Sequence, residues 1–229
     1  MSKIEKKIIA IGGVGVSPES DKELDNFIIN HSKKMKNNIG FLGTASKDDK
    51  EKINKFYKRF DYTSSELSHF NLTSDIDGFH EWLLNKDIVY VGGGNTFYML
   101  EIWKKNNLEK IFKDAYKKGL ILSGVSAGAV CWFDWILSDS MGRGFEPLKG
   151  INLIEGSCTP HSSNTERINE FEFNIKNNKL PNGVAIDDGV AVVFIDGKPT
   201  EVYSSINNHN AYFLDKNTKI NLKEYIKNI

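Results

Sequence analysis

The sequence predicts an α/β fold in which a mostly parallel β-sheet carries helices on both faces. Short apolar, β-branched runs bounded by glycine alternate with longer amphipathic or charged segments, and the connections between them are short. Parallel strands need crossover connections, so this alternation favours a parallel sheet with helices packed on both sides. With 229 residues, 40% of them apolar, and no linker or repeat, we expect residues 1–229 to form a single domain.

The predicted elements follow one another in strand and helix pairs. The first strand covers 8–11 and precedes a helix that starts at Ser17-Pro18-Glu19-Ser20. Further strands are predicted at 39–42, 67–70, 88–91 and 120–122, with helices near 49–60 and 76–84, from Asn95 and from Ala127. After a strand at 151–154 the pattern turns strand-rich, with runs at 183–186, 190–195 and 200–203 joined by tight turns. We interpret these last three runs as an antiparallel edge on the same sheet.

Charge and cysteine content exclude several classes of function. The 30 basic and 30 acidic residues cancel and are interspersed, so neither a nucleic-acid nor an anionic-membrane partner is expected. The N-terminus passes from Met1 to Lys7 into a strand without a secretion signal or an 18-residue apolar run, which favours a cytoplasmic protein. The two cysteines, Cys131 and Cys158, lack metal or redox spacing, and we expect no metal and no cofactor.

Two glycine-rich loops stand at predicted strand ends, where active sites of open α/β sheets form. The first is Gly92-Gly93-Gly94-Asn95-Thr96. The second contains Gly124-Val125-Ser126-Ala127-Gly128, which matches the G-x-S-x-G nucleophile elbow between a strand and a helix. Such an elbow holds its serine at positive φ beside a helix N-terminus and needs small residues two positions before and after it. The alternative is an ordinary strand-to-helix turn in which Ser126 only caps the helix.

A serine nucleophile needs a general base and a group that orients the base. Of the five histidines, His161 follows a predicted strand in a loop fixed by Pro160, whereas the other four lie in polar segments. Between Ser126 and His161, Asp139 falls in a loop that can fold back towards the histidine. Asp134 is the alternative acid, and we place it in the helix about two turns after Ser126.

Acyl transfer also requires donors for the oxyanion of the tetrahedral intermediate. We expect the backbone amide of Ala127, which follows the serine, to be one donor and that of Gly93 to be the other. Nucleotide binding is the weaker interpretation, because neither glycine-rich loop continues as a P-loop and Gly12-Gly13-Val14-Gly15 does not complete G-x-G-x-x-G.

These blocks, taken together, resemble the dipeptidase E (aspartyl dipeptidase) and cyanophycinase family of serine peptidases. The resemblance rests on Val91 to Phe97, Gly124 to Ala129, Ser138-Asp139-Ser140 and Pro160-His161, in that order and spacing, and covers about residues 7–195. It implies a flavodoxin-like fold similar to the class I glutamine amidotransferase domain, with a serine in place of the cysteine at the elbow.

The resemblance also implies roles for individual residues. Ser126 matches the nucleophile, His161 the base and Asp139 the acid, while Gly93 and Ala127 match the oxyanion positions. Arg167 resembles an arginine that holds a substrate carboxylate, and Asn95 is expected to contact the substrate. The implied activity is hydrolysis of short peptides, including dipeptides with an N-terminal aspartate; the branched polymer cleaved by cyanophycinases is less expected. A catalytically silent member that binds a small metabolite or a protein remains the alternative.

Overall fold

The computed structural model describes residues 4–15 and 17–228. Residues 1–3, on which the expected absence of a secretion signal partly rests, lie outside the described residues. The strands are β1 Lys7–Ile11, β2 Asn38–Leu42, β3 Glu66–Phe70, β4 Ile88–Val91, β5 Ile121–Val125, β6 Phe133–Ser138, β7 Glu146–Lys149, β8 Ile154–Thr159, β9 Gly183–Ile186, β10 Val190–Ile195, β11 Lys198–Ser204, β12 Ala211–Leu214 and β13 Lys219–Asn221. The helices are α1 Pro18–Asn30, α2 Lys50–Phe60, α3 Phe79–Leu84, α4 Thr96–Lys105, α5 Leu108–Lys117, α6 Ala127–Val130, α7 Thr165–Lys176 and α8 Leu222–Lys227.

The strands form two sheets. The first sheet has the order β11-β10-β1-β5-β4-β2-β3, and its β1, β5, β4, β2 and β3 run parallel to one another. Strands β10 and β11 add an antiparallel edge to β1, as the sequence predicts. The second sheet has the order β13-β12-β9-β8-β6-β7, in which β6, β8 and β9 are parallel. The predicted α/β class with an antiparallel edge is confirmed.

The largest buried cluster lies between the two sheets. It joins side chains of the first sheet, such as Ile8 and Phe194, to Phe133 and Val184 of the second, and α4 and α5 pack into it through residues such as Trp103. A second cluster fills the opposite face of the first sheet beneath α1 and α2. A third lies between the second sheet and α7. Helices therefore cover both faces of the first sheet, because each face buries a continuous apolar surface.

Three sequence predictions need correction. Helix α6 ends after one turn at Val130, and the run that we placed in its continuation, with Asp134, is strand β6. This run is rich in aromatic residues, which fit a pleated surface, and a short apolar run does not reveal its period. The run at 183–186 belongs to the second sheet instead of the edge of the first. The strand expected at 151–154 starts only at Ile154, because the amide groups before it bond back to the 131–133 segment.

Within the described residues, no helix is both long and apolar enough to cross a lipid bilayer.

Cys131 and Cys158 are buried free thiols. Burial raises the pKa of both thiols well above the ordinary value, so neither is poised as a thiolate nucleophile at neutral pH.

Candidate active site

The candidate active site lies where loops from the two sheets meet. Strand β5 of the first sheet ends at Val125 and delivers Ser126. Strands β8 and β9 of the second sheet run parallel and end at Thr159 and Ile186, directly before the loops that carry His161 and Asp188. Parallel neighbours end at the same edge of a sheet, so both loops reach Ser126 from one side.

Ser126 has the backbone conformation of a nucleophile elbow. Its φ is 55° and its ψ is −113°, a combination that L-residues rarely adopt, and its amide donates to the carbonyl of Ile11 at 2.9 Å. A Cβ at Gly124 would overlap the carbonyl of Gly128, and one at Gly128 would overlap the carbonyl of Val91. Only glycine at these two positions lets β5, α6 and β4 approach closely enough to hold the turn. The turn is the strained elbow that the sequence predicts.

A chain of hydrogen bonds runs from Ser126 to a carboxylate. Ser126 Oγ lies 2.8 Å from His161 Nε2, and His161 Nδ1 lies 2.5 Å from Asp188 Oδ1. With the Nδ1 proton donated to Asp188, Nε2 is free to accept the serine proton. The hydrogen bond from His161 lowers the pKa of Asp188, which favours the ionised carboxylate that this arrangement needs.

Asp188 is held firmly by its surroundings. Ser163 Oγ donates to Asp188 Oδ2 at 2.8 Å. The backbone carbonyl of Asp188 lies 2.8 Å from Nδ1 of His209. The loop after β1 passes so close that a Cβ at Gly13 would overlap the Asp188 carboxylate. Neighbouring Asp187 faces the other way and accepts from Ser162 Oγ at 2.6 Å. The two consecutive aspartates therefore have different partners, and only Asp188 contacts the imidazole.

The structure places Asp188 beside His161, where the sequence predicts Asp139. Asp139 lies in the loop between β6 and β7, where its Oδ2 accepts from Arg167 Nη2 at 2.8 Å. The alternative, Asp134, is on β6 and pairs with Lys149 at 3.0 Å. The loop after β6 folds towards α7 instead of towards the imidazole, so the position that we assigned to Asp139 is corrected to Asp188.

The sequence argument missed Asp188 because it sought the acid only between Ser126 and His161. Asp187-Asp188-Gly189 follows a buried run and was interpreted only as a turn. The strand-end rule, applied beyond His161, could have singled it out, since β9 ends immediately before it.

The expected oxyanion donors lie beside Ser126. Gly93 passes so close that a Cβ there would lie 3.3 Å from Cβ of Ser126. Ala127 is the first residue of α6, where a backbone N–H has no partner within the helix. Both positions are consistent with binding of negative charge next to Ser126 Oγ.

Asn95 is occupied by structural contacts. Its side-chain oxygen accepts from Tyr98 N at 2.7 Å and caps α4, while its Nδ2 donates to the carbonyl of Ser140 at 3.0 Å. The expected substrate contact of Asn95 therefore finds no support in the geometry. Asn95 instead ties the loop between β6 and β7 to the glycine-rich loop.

A small cleft opens beside Ser126, with about 240 Å³ of empty space. It is lined by Gly94, Thr96, Ser126, Val130, Ile136, Leu137, Ser138, Asp139, Pro160 and Arg167. A larger cavity of about 680 Å³ lies at the opposite edge of the sheet, near the amino ends of β4 and β5, and its lining has no nucleophile and base pair. In the described residues no group of His, Cys, Asp and Glu side chains is arranged to hold a metal ion.

Arg167 is fixed in the wall of this cleft. Its side chain is only 8% exposed, its guanidinium lies 4.6 Å from the ring centroid of Phe145, and its Nη2 donates to Asp139. At the start of α7, its amide donates to Asn164 Oδ1 and so joins the helix cap. The guanidinium is thereby held in one orientation beside the nucleophile.

A serine on a strained elbow, linked through an imidazole to a carboxylate on an α/β fold, defines the class of serine hydrolases. Comparison with known proteins narrows this class. Residues 8–202 match Peptidase family S51, and the chain belongs to that family. It is a serine-type peptidase.

Similar sequences agree with this assignment, and a solved structure shares the fold. The uncharacterized peptidase YgaJ of Bacillus subtilis (strain 168) is 38% identical over 213 residues, which cover 90% of this chain and 91% of YgaJ. Peptidase E of Nostoc sp. (strain PCC 7120 / SAG 25.82 / UTEX 2576) is 26% identical over 150 residues, 62% of this chain and 58% of that protein. The fold is shared with the crystal structure of a peptidase from an acI-B1 Actinobacterium, at a TM-score of 0.73 and 15% identity over 96% of this chain and 95% of that one.

Proposed function

We propose that this peptidase is a serine exopeptidase that cleaves short peptides with Ser126 as nucleophile, His161 as general base and Asp188 as the acid that orients it. The observation that carries the proposal is the unbroken hydrogen-bonded chain of 2.8 Å and 2.5 Å from the strained elbow to Asp188. No residue has to move for the first proton transfer.

The reaction follows from these positions. Ser126 Oγ attacks the scissile carbonyl carbon while His161 Nε2 takes its proton, and Asp188 stabilises the imidazolium that forms. The amides of Gly93 and Ala127 donate to the oxyanion of the tetrahedral intermediate. His161 then gives the proton to the leaving amine, and a water molecule hydrolyses the acyl-enzyme by the same route.

The cleft supports an exopeptidase that prefers an N-terminal aspartate. It is small, and its lining includes Ser138, Asp139 and the almost fully buried Arg167. A planar guanidinium can bind a carboxylate with two hydrogen bonds, and only one of its nitrogens, Nη2, is engaged by Asp139. An aspartate side chain next to the scissile bond would find this cation within the same cleft.

A serine-reactive fluorophosphonate probe tests the nucleophile. Wild type is expected to be labelled and to hydrolyse Asp-Leu, whereas Ser126→Ala keeps the fold but loses both labelling and turnover. Ser74→Ala, which alters an exposed loop hydroxyl, is the matched control and stays active.

His161→Ala is expected to lose several orders of magnitude in turnover. Undiminished turnover in purified Ser126→Ala would overturn the serine assignment. An unlabelled wild type that shows only a ligand-dependent melting shift would point to a binding module.

Arginine at position 167 is tested through substrate preference. Arg167→Lys replaces the planar fork by a point charge, so the ratio of kcat/KM for Asp-Leu to that for Ala-Leu should fall about tenfold or more. A wild type that prefers Ala-Leu would reject aspartate recognition and leave the serine mechanism in place.

A further inference from the structure

Two consecutive serines in the loop after β8 bind two consecutive aspartates in the loop after β9. Ser162 Oγ donates to Asp187 Oδ1 at 2.6 Å, and Ser163 Oγ donates to Asp188 Oδ2 at 2.8 Å. The amide of Ser162 also donates to the last carbonyl of β9 at 3.1 Å, so the pairing of the two strands continues past their ends. The loop that carries the imidazole and the loop that carries its acid are therefore joined at adjacent positions.

The two pairs differ in burial and in their relation to the imidazole. Ser162 and Asp187 are each 5% exposed, and Asp187 Oδ2 also accepts from the amide of Asn210 at 2.9 Å. This buried pair ties the loop after β9 to the segment before β12. Ser163 lies on the exposed side of its loop, and its hydroxyl binds the oxygen of Asp188 that the imidazole does not engage. Only the second pair thus acts on the proton relay.

The hydroxyl of Ser163 limits the rotation of the Asp188 carboxylate. A carboxylate that is held through one oxygen can turn about its Cβ–Cγ bond, because the torsion energy there is broad. His161 Nδ1 lies 2.5 Å from Oδ1 and Ser163 holds Oδ2, so both oxygens are fixed. The contact with His209 holds the main chain of Asp188 and leaves this torsion free. The direction in which the carboxylate meets the imidazole is therefore set by Ser163.

The backbone of His161 also depends on contacts around it. Its φ is 52°, in the region that favours glycine, and its amide bonds to the carbonyl of Gly12 at 3.3 Å. Such a conformation persists only where the surrounding structure over-determines it. Ser163 follows two residues later and ties this turn to Asp188. The same hydroxyl therefore restrains both partners of the short hydrogen bond.

Ser163 also acts on the charge of Asp188. The hydrogen bond from His161 is the largest cause that lowers the pKa of Asp188, burial opposes it, and the hydrogen bond from Ser163 lowers the pKa further. His161 and His209 are the titratable side chains whose charge acts on this carboxylate. A carboxylate whose charge is partly taken up by Ser163 holds the imidazolium proton less strongly. Loss of the hydroxyl should therefore favour the imidazolium over the free base.

Building on the proposed function, we infer that Ser163 is a positioning residue of the proton relay, which fixes the Asp188 carboxylate in the direction that orients His161. Ser163 does not belong to the lining described for the cleft beside Ser126. Its effect on turnover therefore passes through Asp188 and not through binding of the peptide. A change at this position should lower kcat and leave KM in place.

The first experiment measures kcat and KM for Asp-Leu in Ser163→Ala and Ser163→Thr. Ser163→Ala should lower kcat about tenfold with KM unchanged within about twofold, a smaller loss than the roughly 10²-fold of a 1 Å displacement because His161 still holds Oδ1. Ser163→Thr keeps a hydroxyl at the same position and should recover most of the rate. Position 163 is exposed, so both variants should fold.

The second experiment measures the rate of fluorophosphonate labelling of Ser126 against pH, which needs no choice of peptide. Labelling should fall at acid pH as the imidazole takes up a proton. In Ser163→Ala this acid limb should move up by about half a pH unit, equal to a threefold change in the protonation equilibrium. Ser162→Ala is the matched control, since it makes the same change one residue earlier at the buried pair. It should lower the midpoint of urea unfolding and keep both the wild-type kcat and the wild-type acid limb.

A Ser163→Ala protein with wild-type kcat and an unmoved acid limb would overturn the inference, and so would a Ser163→Thr protein that is as slow as Ser163→Ala. An equal loss of kcat in Ser162→Ala and Ser163→Ala, with no movement of the acid limb, would assign both serines only to holding the loops together. Labelling of the wild type separates these failures from failure of the proposed function. A labelled wild type keeps Ser126 as the nucleophile whatever Ser163 does, whereas an unlabelled wild type rejects the proposed function itself.

Discussion

At the scale of single residues, the three aspartates of this chain that compete for a role beside Ser126 have three separate environments. Asp188 contacts the imidazole, Asp139 the buried guanidinium and Asp134 a surface lysine. Their positions in the sequence do not separate them, because each follows or lies in an apolar run. Asp134 lies within β6, whereas Asp139 and Asp188 follow parallel strands that end at the same edge of the second sheet and are separated by the side chains that their loops reach.

Asp188→Asn should lower kcat by about 10⁴-fold, because an amide at this position favours the wrong tautomer of His161. Asp139→Asn should lower it far less, because its carboxylate contacts Arg167 and not the imidazole, and Asp134→Asn should leave it unchanged. Steady-state kinetics on Asp-Leu, with circular dichroism to verify the fold, distinguishes the three. A loss of about 10⁴-fold in Asp139→Asn alone would show that Asp139, and not Asp188, is the acid that orients His161.

Gly13→Ala tests the close approach of the β1 loop to the acid. Its Cβ would overlap the carboxylate of Asp188, so the side chain must shift away from His161. A displacement of about 1 Å in a catalytic group costs roughly 10²-fold in rate. The same substitution made in an Asp188→Asn background should cost much less, since the two changes damage one contact. If Gly13→Ala lowers the rate by the same factor in both backgrounds, it acts through a contact other than the one with Asp188.

At the scale of elements, helices α1 and α2 are joined by a buried ion pair on the face of the first sheet. Asp25 of α1 is fully buried and its Oδ2 accepts from Arg59 Nε of α2 at 2.5 Å. The guanidinium of Arg59 also lies 5.7 Å from the ring centroid of Tyr90 on β4. Burial raises the pKa of Asp25 to about 6, with Arg59 opposing the rise.

This pKa predicts a pH-dependent stability. The folded state holds the Asp25 proton more tightly than the unfolded chain, in which the carboxyl has its ordinary pKa of 3.8. The resulting stabilisation is complete below that value and is lost as the pH rises through about 6, a change of about 1 kcal/mol between pH 5 and pH 8. Asp25→Asn removes this titration, so the difference in free energy of unfolding between the variant and wild type should shift in favour of the variant as the pH rises. Parallel urea-unfolding profiles for the two proteins across this range would contradict the assignment.

The elements also show how far the sequence could predict the fold. Most of the first sheet follows from periodicity, because β1, β2, β4 and β5 are almost entirely buried, and α2 and α4 begin after capping side chains, Asp49 and Asn95. The elbow at Ser126 and the base at His161 follow from strand-end positions. The second sheet could not be predicted in the same way. Its strand β6 comes straight after a one-turn helix, and its pairing with β7 and β8 reveals that it is a strand. Asp188 was missed for a different reason, since it follows His161 in the sequence and the expected chain order places the acid between Ser126 and His161.

At the scale of the whole molecule, the two sheets share one apolar core, and Phe133 of β6 packs edge-to-face on Phe194 of β10 with their ring centroids 5.3 Å apart. Both side chains are about 1% exposed. Phe133→Ala or Phe194→Ala should each cost about 3 to 5 kcal/mol of stability by leaving a cavity. The double variant should cost less than the sum, because the rings contact each other. Urea unfolding of all four proteins measures this coupling, and strict additivity would place the two rings in independent parts of the core.

Because the candidate site is divided between the sheets, the reactivity of Ser126 should depend on how the two sheets pack together. Ser126 belongs to the first sheet, while His161 and Asp188 arrive on loops of the second. Any local opening that separates the sheets leaves the serine as an ordinary alcohol, even when every strand is still formed. The labelling rate of Ser126 at urea concentrations well below the unfolding transition therefore reports the free energy of that opening. The chemical reactivity of Ser126 would in this way measure how strongly the two sheets are held together.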